Sequence, residues 1–278
     1  MHFGDNLEVM RTLDSGICNL VYIDPPFNTG KRQALKSVRT VRDGSASRKG
    51  FQGQTYRTSV RSVREYSDAF DDYLEFIEPR LLEARRLLAT DGSIFVHLDY
   101  REVHYVKVLM DSIFGRESFM NEIIWAYDYG ARSKSKWPTK HDNILWYAVD
   151  PSRYTFNFEA MERIPYMAPG LVGAEKAAQG KTPTDTWWHT IVPTTGSERT
   201  GYPTQKPLGI LNRIIAVHSN PGDLVMDFFA GSGTTAEAAL SAGRRALLID
   251  DNPEAMEVIA RRLSQWSPDF RGWQAPRA

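Results

Sequence analysis

One cysteine, Cys18, stands in 278 residues, which excludes an internal disulfide and any cysteine-built metal site. It leads into the apolar run Leu20-Val21-Tyr22-Ile23, the setting of a buried structural thiol rather than of a nucleophile. The six histidines are scattered without metal-ligand spacing, so no metal is expected. No run of about 18 apolar residues occurs, so no membrane span is expected. The opening Met1-His2-Phe3-Gly4-Asp5 lacks the basic and apolar regions of a signal peptide, and a cytoplasmic protein is expected. Charge of one sign is not in excess either. Lysine plus arginine and aspartate plus glutamate number 34 each, so net charge names no partner.

The distribution of charge says more. From Asn28 to Glu65 there are ten Lys/Arg against two acids, Asp43 and Glu65. Gly44, Gly50 and Gly53 interrupt this run and few apolar residues anchor it, so a mobile basic loop without regular structure is expected.

Elsewhere, strand-length apolar runs alternate with helical periodicity, the pattern of an α/β fold with a mostly parallel sheet. Strands are expected at Cys18–Ile23, Ser93–Leu98, Glu122–Tyr127, Asn143–Val149, Leu224–Phe229 and Arg245–Asp250. Helices are expected at Tyr73–Leu88, with Pro79 arguing against a straight one, and at Glu102–Phe114, Pro207–His218, Thr235–Ala242 and Pro253–Trp266. The stretch 150–200, rich in Pro, Gly, Thr and aromatics, has no period and reads as an irregular insertion. The tail after Ser267 is expected to be loose.

Two turns carry chemistry. Asp227-Phe228-Phe229-Ala230-Gly231-Ser232-Gly233-Thr234-Thr235 joins a strand to a helix through glycines that let a ligand approach the backbone and the helix N-terminus. The third glycine of a dinucleotide fingerprint and the Gly-Lys-Ser/Thr of a phosphate loop are both missing, so those readings fall. Asp250 ends the next strand, 23 residues after Asp227, where an acid can hold ribose hydroxyls. Asp251 or Asn252 can cap the following helix and leave it free. At the other turn, Asp24-Pro25-Pro26-Phe27 follows a buried strand. Two prolines remove two donors, so carbonyls and the Asp24 carboxylate offer acceptors to an amino group, and Phe27 offers a stacking face.

Together these turns resemble the catalytic and cofactor motifs of the DNA amino-methyltransferases. Catalytic motif first, recognition insertion next and glycine loop last is similar to the β-class order. Further matches are Gly4-Asp5-Asn6-Leu7-Glu8, Asn121-Glu122-Ile123-Ile124-Trp125, His141-Asp142-Asn143-Ile144-Leu145 and Pro203-Thr204-Gln205-Lys206-Pro207. The resemblance implies a doubly wound, mostly parallel, seven-stranded sheet of the S-adenosylmethionine-dependent methyltransferase type, circularly permuted. It divides the chain into a catalytic half at 1–149, with the basic DNA-contacting loop at about 28–65, a target-recognition insertion at 150–200 and a cofactor-binding half at 201–278. Asp227, Phe229, Gly231, Gly233 and Thr234 are then expected around the cofactor, with Asp24 at its methyl-donor end. Asp250 falls on its ribose, Asp5 on its adenine, and Thr204 and Lys206 near its carboxylate.

The implied reaction is direct. A base flips out of duplex DNA, Asp24 and Pro25 hold its exocyclic amine with Pro26 completing the turn, Phe27 stacks on its ring, and the nitrogen takes the sulfonium methyl, leaving S-adenosylhomocysteine. Cytosine C5 methylation needs a thiolate, which Cys18 does not supply. Adenine N6 and cytosine N4 both stay open, adenine ahead because aspartate at the first position of the turn resembles those enzymes more often. Lys31, Arg32, Lys36, Arg39 and Arg57 of the basic run, and Arg132, Lys134 and Lys136 among the aromatics Tyr129 and Trp137, are the expected DNA contacts. The resemblance also implies a homodimer and a separately encoded restriction endonuclease as partners. The alternatives are an RNA base methyltransferase and a DNA-binding relative without catalysis.

Overall fold

The computed structural model describes residues 1–28, 31–42, 48–49, 55–68, 72–129, 132–193 and 195–274, of which 31–42, 48–49 and 55–68 by backbone only. It divides into one unit of Met1–Phe27 with Asp72–Ala278 and a second of Asn28–Asp71. In chain order the elements are β1 (His2–Phe3), α1 (Asn6–Arg11), β2 (Cys18–Ile23), β3 (Lys31–Arg42), β4 (Arg48–Lys49) and β5 (Thr55–Asp68). There follow α2 (Tyr73–Leu87), β6 (Leu88–Leu98), α3 (Val103–Phe114), β7 (Phe119–Ala126), β8 (His141–Ala148), α4 (Ala174–Gln179) and β9 (Thr186–Trp188). The chain ends with α5 (Leu208–His218), β10 (Leu224–Asp227), α6 (Thr234–Ser241), β11 (Arg245–Asp250) and α7 (Pro253–Arg262).

Among the described residues, eight strands of the first unit form one sheet in the order β1-β11-β10-β2-β6-β8-β7-β9. All neighbours are parallel except β8, which runs against both β6 and β7. Seven strands are the number the resemblance implies; the eighth is the three-residue β9. Cys18 and Leu20–Ile23 are all buried, so both faces of β2 are covered, as a parallel central strand requires. On one face Leu20, Tyr22, Phe95 and Trp146 pack with Ile210, Leu211, Ile214 and Ile215 of α5 and Ala238 and Ala239 of α6. The Cys18 thiol donates to the Leu87 carbonyl at 3.2 Å, and burial pushes its pKa up to about 12, so it is the inert thiol expected.

The order of strands positions the site. From β10 the chain passes through α6 to β11 on one side, whereas β2 neighbours β6 on the other. The carboxyl ends of β10 and β2 therefore flank a topological switch point, where open α/β sheets bind ligands. Asp227 ends β10 and Asp24 follows β2, so the two turns singled out by sequence lie on adjacent strands.

Three expectations need correction. The basic run is not without regular structure: β3 pairs with β5 over its whole length, from Lys31↔Asp68 to Arg42↔Tyr56, and β4 adds to β5. The stretch 150–200 is mostly irregular, but holds α4 and also β9, which pairs with β7. Nor is the tail wholly loose, since Arg271 exchanges backbone hydrogen bonds with Phe3 and Met1 at 2.9 Å each. Helix α2 runs unbroken through Pro79, started by the Asp72 carboxylate, which accepts from Leu74 and Glu75 N–H. Among the described residues no helix is long and apolar enough to cross a membrane.

Candidate functional site

The Asp24-Pro25-Pro26-Phe27 turn begins where β2 ends. One oxygen of Asp24, Oδ2, forms a short ion pair with the Lys206 ammonium. The other, Oδ1, is buried and has no hydrogen-bond partner among the described residues. A buried acceptor left unpaired costs about 1–3 kcal/mol, so such an atom marks a place where a donor is missing. The Phe27 ring lies 6.0 Å from the buried imidazole of His97 at 30°, and the Lys206 ammonium stands 4.9 Å from its centroid. Lys206 thus meets Asp24 and Phe27. Thr204 is exposed in the same Pro-Thr-Gln-Lys-Pro stretch.

The neighbouring turn is built around Asp227. Its Oδ1 accepts from Phe229 N–H at 3.0 Å and its Oδ2 from the Thr235 hydroxyl at 2.6 Å, so the carboxylate ties the strand end to the first turn of α6. Gly233 stands in the left-handed region at φ 74°, which turns the chain into that helix. The Thr234 hydroxyl donates to the Lys206 carbonyl at 3.2 Å, which joins the glycine turn to the Pro-Thr-Gln-Lys-Pro stretch. Asp250 at the end of β11 accepts from Gly231 N–H at 2.7 Å and Asn252 N–H at 2.9 Å. Asn252 caps α7 through Glu254 N–H, so capping is indeed not the work of Asp250.

Burial raises the Asp227 carboxyl to about 7 against hydrogen bonds from Thr235 and Phe229, with the charges of Asp24 and Asp250 adding to the rise. Burial likewise lifts Asp250 to about 6 against the N–H groups of Asn252 and Gly231, with Asp251 adding to it. Three carboxylates thus crowd the switch point. Burial first, and neighbouring negative charge second, favours the neutral forms of Asp227 and Asp250, and a cationic ligand would favour their ionised forms.

Asp5 stands at the start of α1. Its Oδ1 caps the helix through Glu8 N–H at 3.0 Å, and its Oδ2 pairs with Arg80 at 3.1 Å. Arg80, buried on α2, also donates to Asn6 Oδ1 at 2.6 Å, and Asn6 in turn donates to the Phe228 carbonyl at 2.7 Å. This chain links α1, α2 and the glycine turn. Phe229 lies 6.0 Å from Phe76, whose ring carries the Arg80 guanidinium at 4.0 Å. Arg132, Lys134 and Lys136 are all exposed on the 127–140 stretch, with Tyr129 and Trp137 exposed beside them in sequence. The side chains of Lys31, Arg32, Lys36, Arg39 and Arg57 lie outside the described residues.

The family model for DNA methylases, covering N6 and N4 methylases, matches residues 18–261. The chain belongs to this DNA methylase family. It is 28% identical over 273 residues to the DNA adenine methyltransferase YhdJ of Escherichia coli (strain K12), covering 94% of this chain and 81% of that one. It is 27% identical over 269 residues to the type II methyltransferase M.HpaI of Haemophilus parainfluenzae, covering 97% and 74%. In fold it resembles the crystal structure of an M1.HpyAVI–SAM complex, with a TM-score of 0.59 at 18% identity over 95% of this chain and 99% of that one. The cytosine-N4-specific PvuII DNA methyltransferase superposes with a TM-score of 0.62 at 16% identity, covering 94% and 84%.

Several residues of the site escape a reading of the sequence. Gln205 shapes the Lys206 stretch by accepting from Thr200 N–H and hydroxyl, both at 2.8 Å, and donating to the Glu198 carbonyl at 2.7 Å. Arg80 hides inside an amphipathic helix where a surface arginine is the default. His97 is the third; its only signal is a polar residue set within an apolar run, Ile94-Phe95-Val96-His97-Leu98. A separate cavity of about 610 Å³ lies between β7, α5 and the 150–200 stretch, walled by Trp146, Trp187 and Arg213. None of the predicted site residues lines it.

Proposed function

We propose that the protein transfers a methyl group from S-adenosylmethionine to the exocyclic amine of a base flipped out of duplex DNA, with adenine N6 as the target. The observation that carries this reading is the state of Asp24. One oxygen is held by Lys206 and the other is buried without a donor among the described residues, directly before two prolines that have no N–H to offer. A primary amine on a planar ring supplies what is missing. Asp24 Oδ1 accepts one of its hydrogens and a proline carbonyl the other, which leaves the nitrogen lone pair free to attack. The hydrogen on Asp24 is the one lost as a proton once the nitrogen is methylated. Lys206 keeps the carboxylate oriented while it does so. Phe27 supplies a face for the base, and stacking of this kind is worth about 1–3 kcal/mol.

The cofactor fits the residues present. Its sulfonium and ammonium charges answer the buried carboxylates of Asp227 and Asp250, whose pKa values burial raises. When bound, it supplies an already activated methyl, so no covalent enzyme intermediate is needed. Asp250, held by backbone N–H groups, is our candidate for the ribose hydroxyls, since a carboxylate has lone pairs to spare for them. Asp5 stands with Phe229 and Phe76 for the adenine, and M1.HpyAVI, of the same fold, is named as a complex with this cofactor. The choice of adenine N6 leans on the relative named a DNA adenine methyltransferase. Exposed Arg132, Lys134 and Lys136 are suited to phosphates and base edges, and with the 150–200 stretch they are our candidates for sequence recognition.

The test is sequencing that detects modified bases, applied to DNA from a host expressing the chain, with Asp24→Ala as the blank. N6-methyladenine at one short sequence is expected, absent from the blank. N4-methylcytosine would move the target base, and methylation of RNA alone would refute the DNA reading. Asp24→Ala should keep cofactor affinity within about threefold by calorimetry while losing transfer, since it removes orientation in the transition state.

A further inference from the structure

We propose that His97 is a positioning residue for the catalytic turn, fixing the plane on which the Phe27 ring rests when it receives the flipped base; this rests on the methyltransferase reading above. The pairing of β2 with β6 runs to Ile23↔Val96, so the next residues along are Asp24 and His97. The His97 side chain is wholly buried, and both ring nitrogens are engaged. Nδ1 meets the Tyr22 hydroxyl at 2.7 Å and Nε2 meets Asp142 Oδ2 at 3.1 Å. An ionised carboxylate only accepts, so Nε2 carries a proton, while Nδ1 and the Tyr22 hydroxyl share the second hydrogen bond.

Asp142 is itself tied down, because its Oδ1 accepts from the Tyr127 hydroxyl at 3.0 Å. Burial opposes its charge, but the hydrogen bond and charge of His97, the charge of Lys206 and the Tyr127 hydroxyl together hold the carboxyl below its ordinary range. The imidazole cannot turn without breaking two buried hydrogen bonds, and Trp125 blocks it edge-on at 5.4 Å and 87°. Phe27 packs on this fixed plane. It belongs to a turn, not to a strand, so its precision comes from what it lies against. Asp142 comes from the His-Asp-Asn-Ile-Leu motif of β8, for which the methyl transfer itself has no use.

A histidine that merely fills the core would alter stability and act independently of Phe27. A positioning residue acts through Phe27, and the two substitutions then fail to multiply. The experiment compares the wild type, His97→Leu, Phe27→Leu and the double variant by tritiated methyl transfer to unmethylated duplex DNA, with cofactor affinity by calorimetry. Each single change is expected to lower kcat by about tenfold or more, with KM for DNA within about threefold and cofactor affinity unchanged. The double variant should lie within about threefold of the worse single one. Losses that multiply overturn the proposal. If His97→Leu does not fold, His97→Gln replaces it, since its amide keeps a donor for Asp142 while removing the ring; the same failure to multiply is expected. A wild-type chain that transfers no methyl group to duplex DNA or to RNA overturns the methyltransferase reading itself, an outcome separate from multiplying losses.

Discussion

Three aspartates at the switch point differ in what already occupies their oxygens. Asp24 has one oxygen without a donor among the described residues, whereas both oxygens of Asp227 are engaged by its own turn. Burial raises the pKa of Asp227 to about 7 and that of Asp250 to about 6. For an acid whose folded pKa lies above its unfolded one, the folded state binds more protons between the two values. The contribution of both groups to stability therefore falls as pH rises from about 4 to about 7. A cation bound among them favours the ionised forms and reverses that loss. Affinity for S-adenosylmethionine should accordingly rise from about pH 5.5 to about pH 7, by up to about tenfold per unit for each proton released. Calorimetry in two buffers of different ionisation enthalpy reads this directly. Proton release at about pH 6.5 is expected, and uptake would mean that the cofactor's charge lies elsewhere.

At the scale of the element, the strand–glycine turn–helix unit from Leu224 to Ser241 depends on one backbone conformation. A Cβ at Gly233 would meet Ile259 Cγ1 of α7 at 2.8 Å, in addition to the strain of φ 74°. Gly243 has the same φ with nothing within 4 Å of a Cβ. Gly243→Ala should cost the backbone term alone, about 1–2 kcal/mol, and Gly233→Ala more. Thermal melts and cofactor titrations separate the two, since only Gly233→Ala should also weaken cofactor binding. Equal losses would mean that α7 yields at no cost. These elements are legible in sequence because an apolar run that stops at an aspartate before glycines has few other uses. His97–Asp142 and Arg80–Asp5 are not legible, because their partners are 45 and 75 residues apart and only the completed sheet brings them together. The strands β3 and β5 were obscured differently. Val38, Thr40, Val41, Tyr56, Thr58, Val60 and Val63 favour strands, but the arginines between them read as solvated loop.

On the scale of the whole molecule, the even balance of 34 basic and 34 acidic residues conceals a separation of charge. The three aspartates of the switch point belong to one unit and the basic run to the other, Asn28–Asp71. An enzyme acting on DNA needs both: negative potential for a cationic cofactor and positive charge for a polyanion. The unit 28–71 follows Phe27 of the Asp-Pro-Pro-Phe turn directly in the chain and carries Lys31, Arg32, Lys36, Arg39, Arg42, Arg48, Lys49, Arg57, Arg61 and Arg64. Its backbone is a long antiparallel pairing, β3 with β5, that contributes no strand to the main sheet. In keeping with the proposed function, its expected partner is the phosphate backbone of the substrate DNA. If about five of its charges meet phosphates, the logarithm of the DNA binding constant should fall with the logarithm of salt at a slope near −4 to −5. Replacing Lys31, Arg32, Lys36, Arg39 and Arg57 with glutamine should flatten that slope and weaken binding to every sequence alike, with cofactor affinity unchanged. Because phosphate contacts carry no sequence information, the methylated site should also stay the same. A slope that survives all five substitutions would leave Arg132, Lys134 and Lys136 to hold the duplex by themselves.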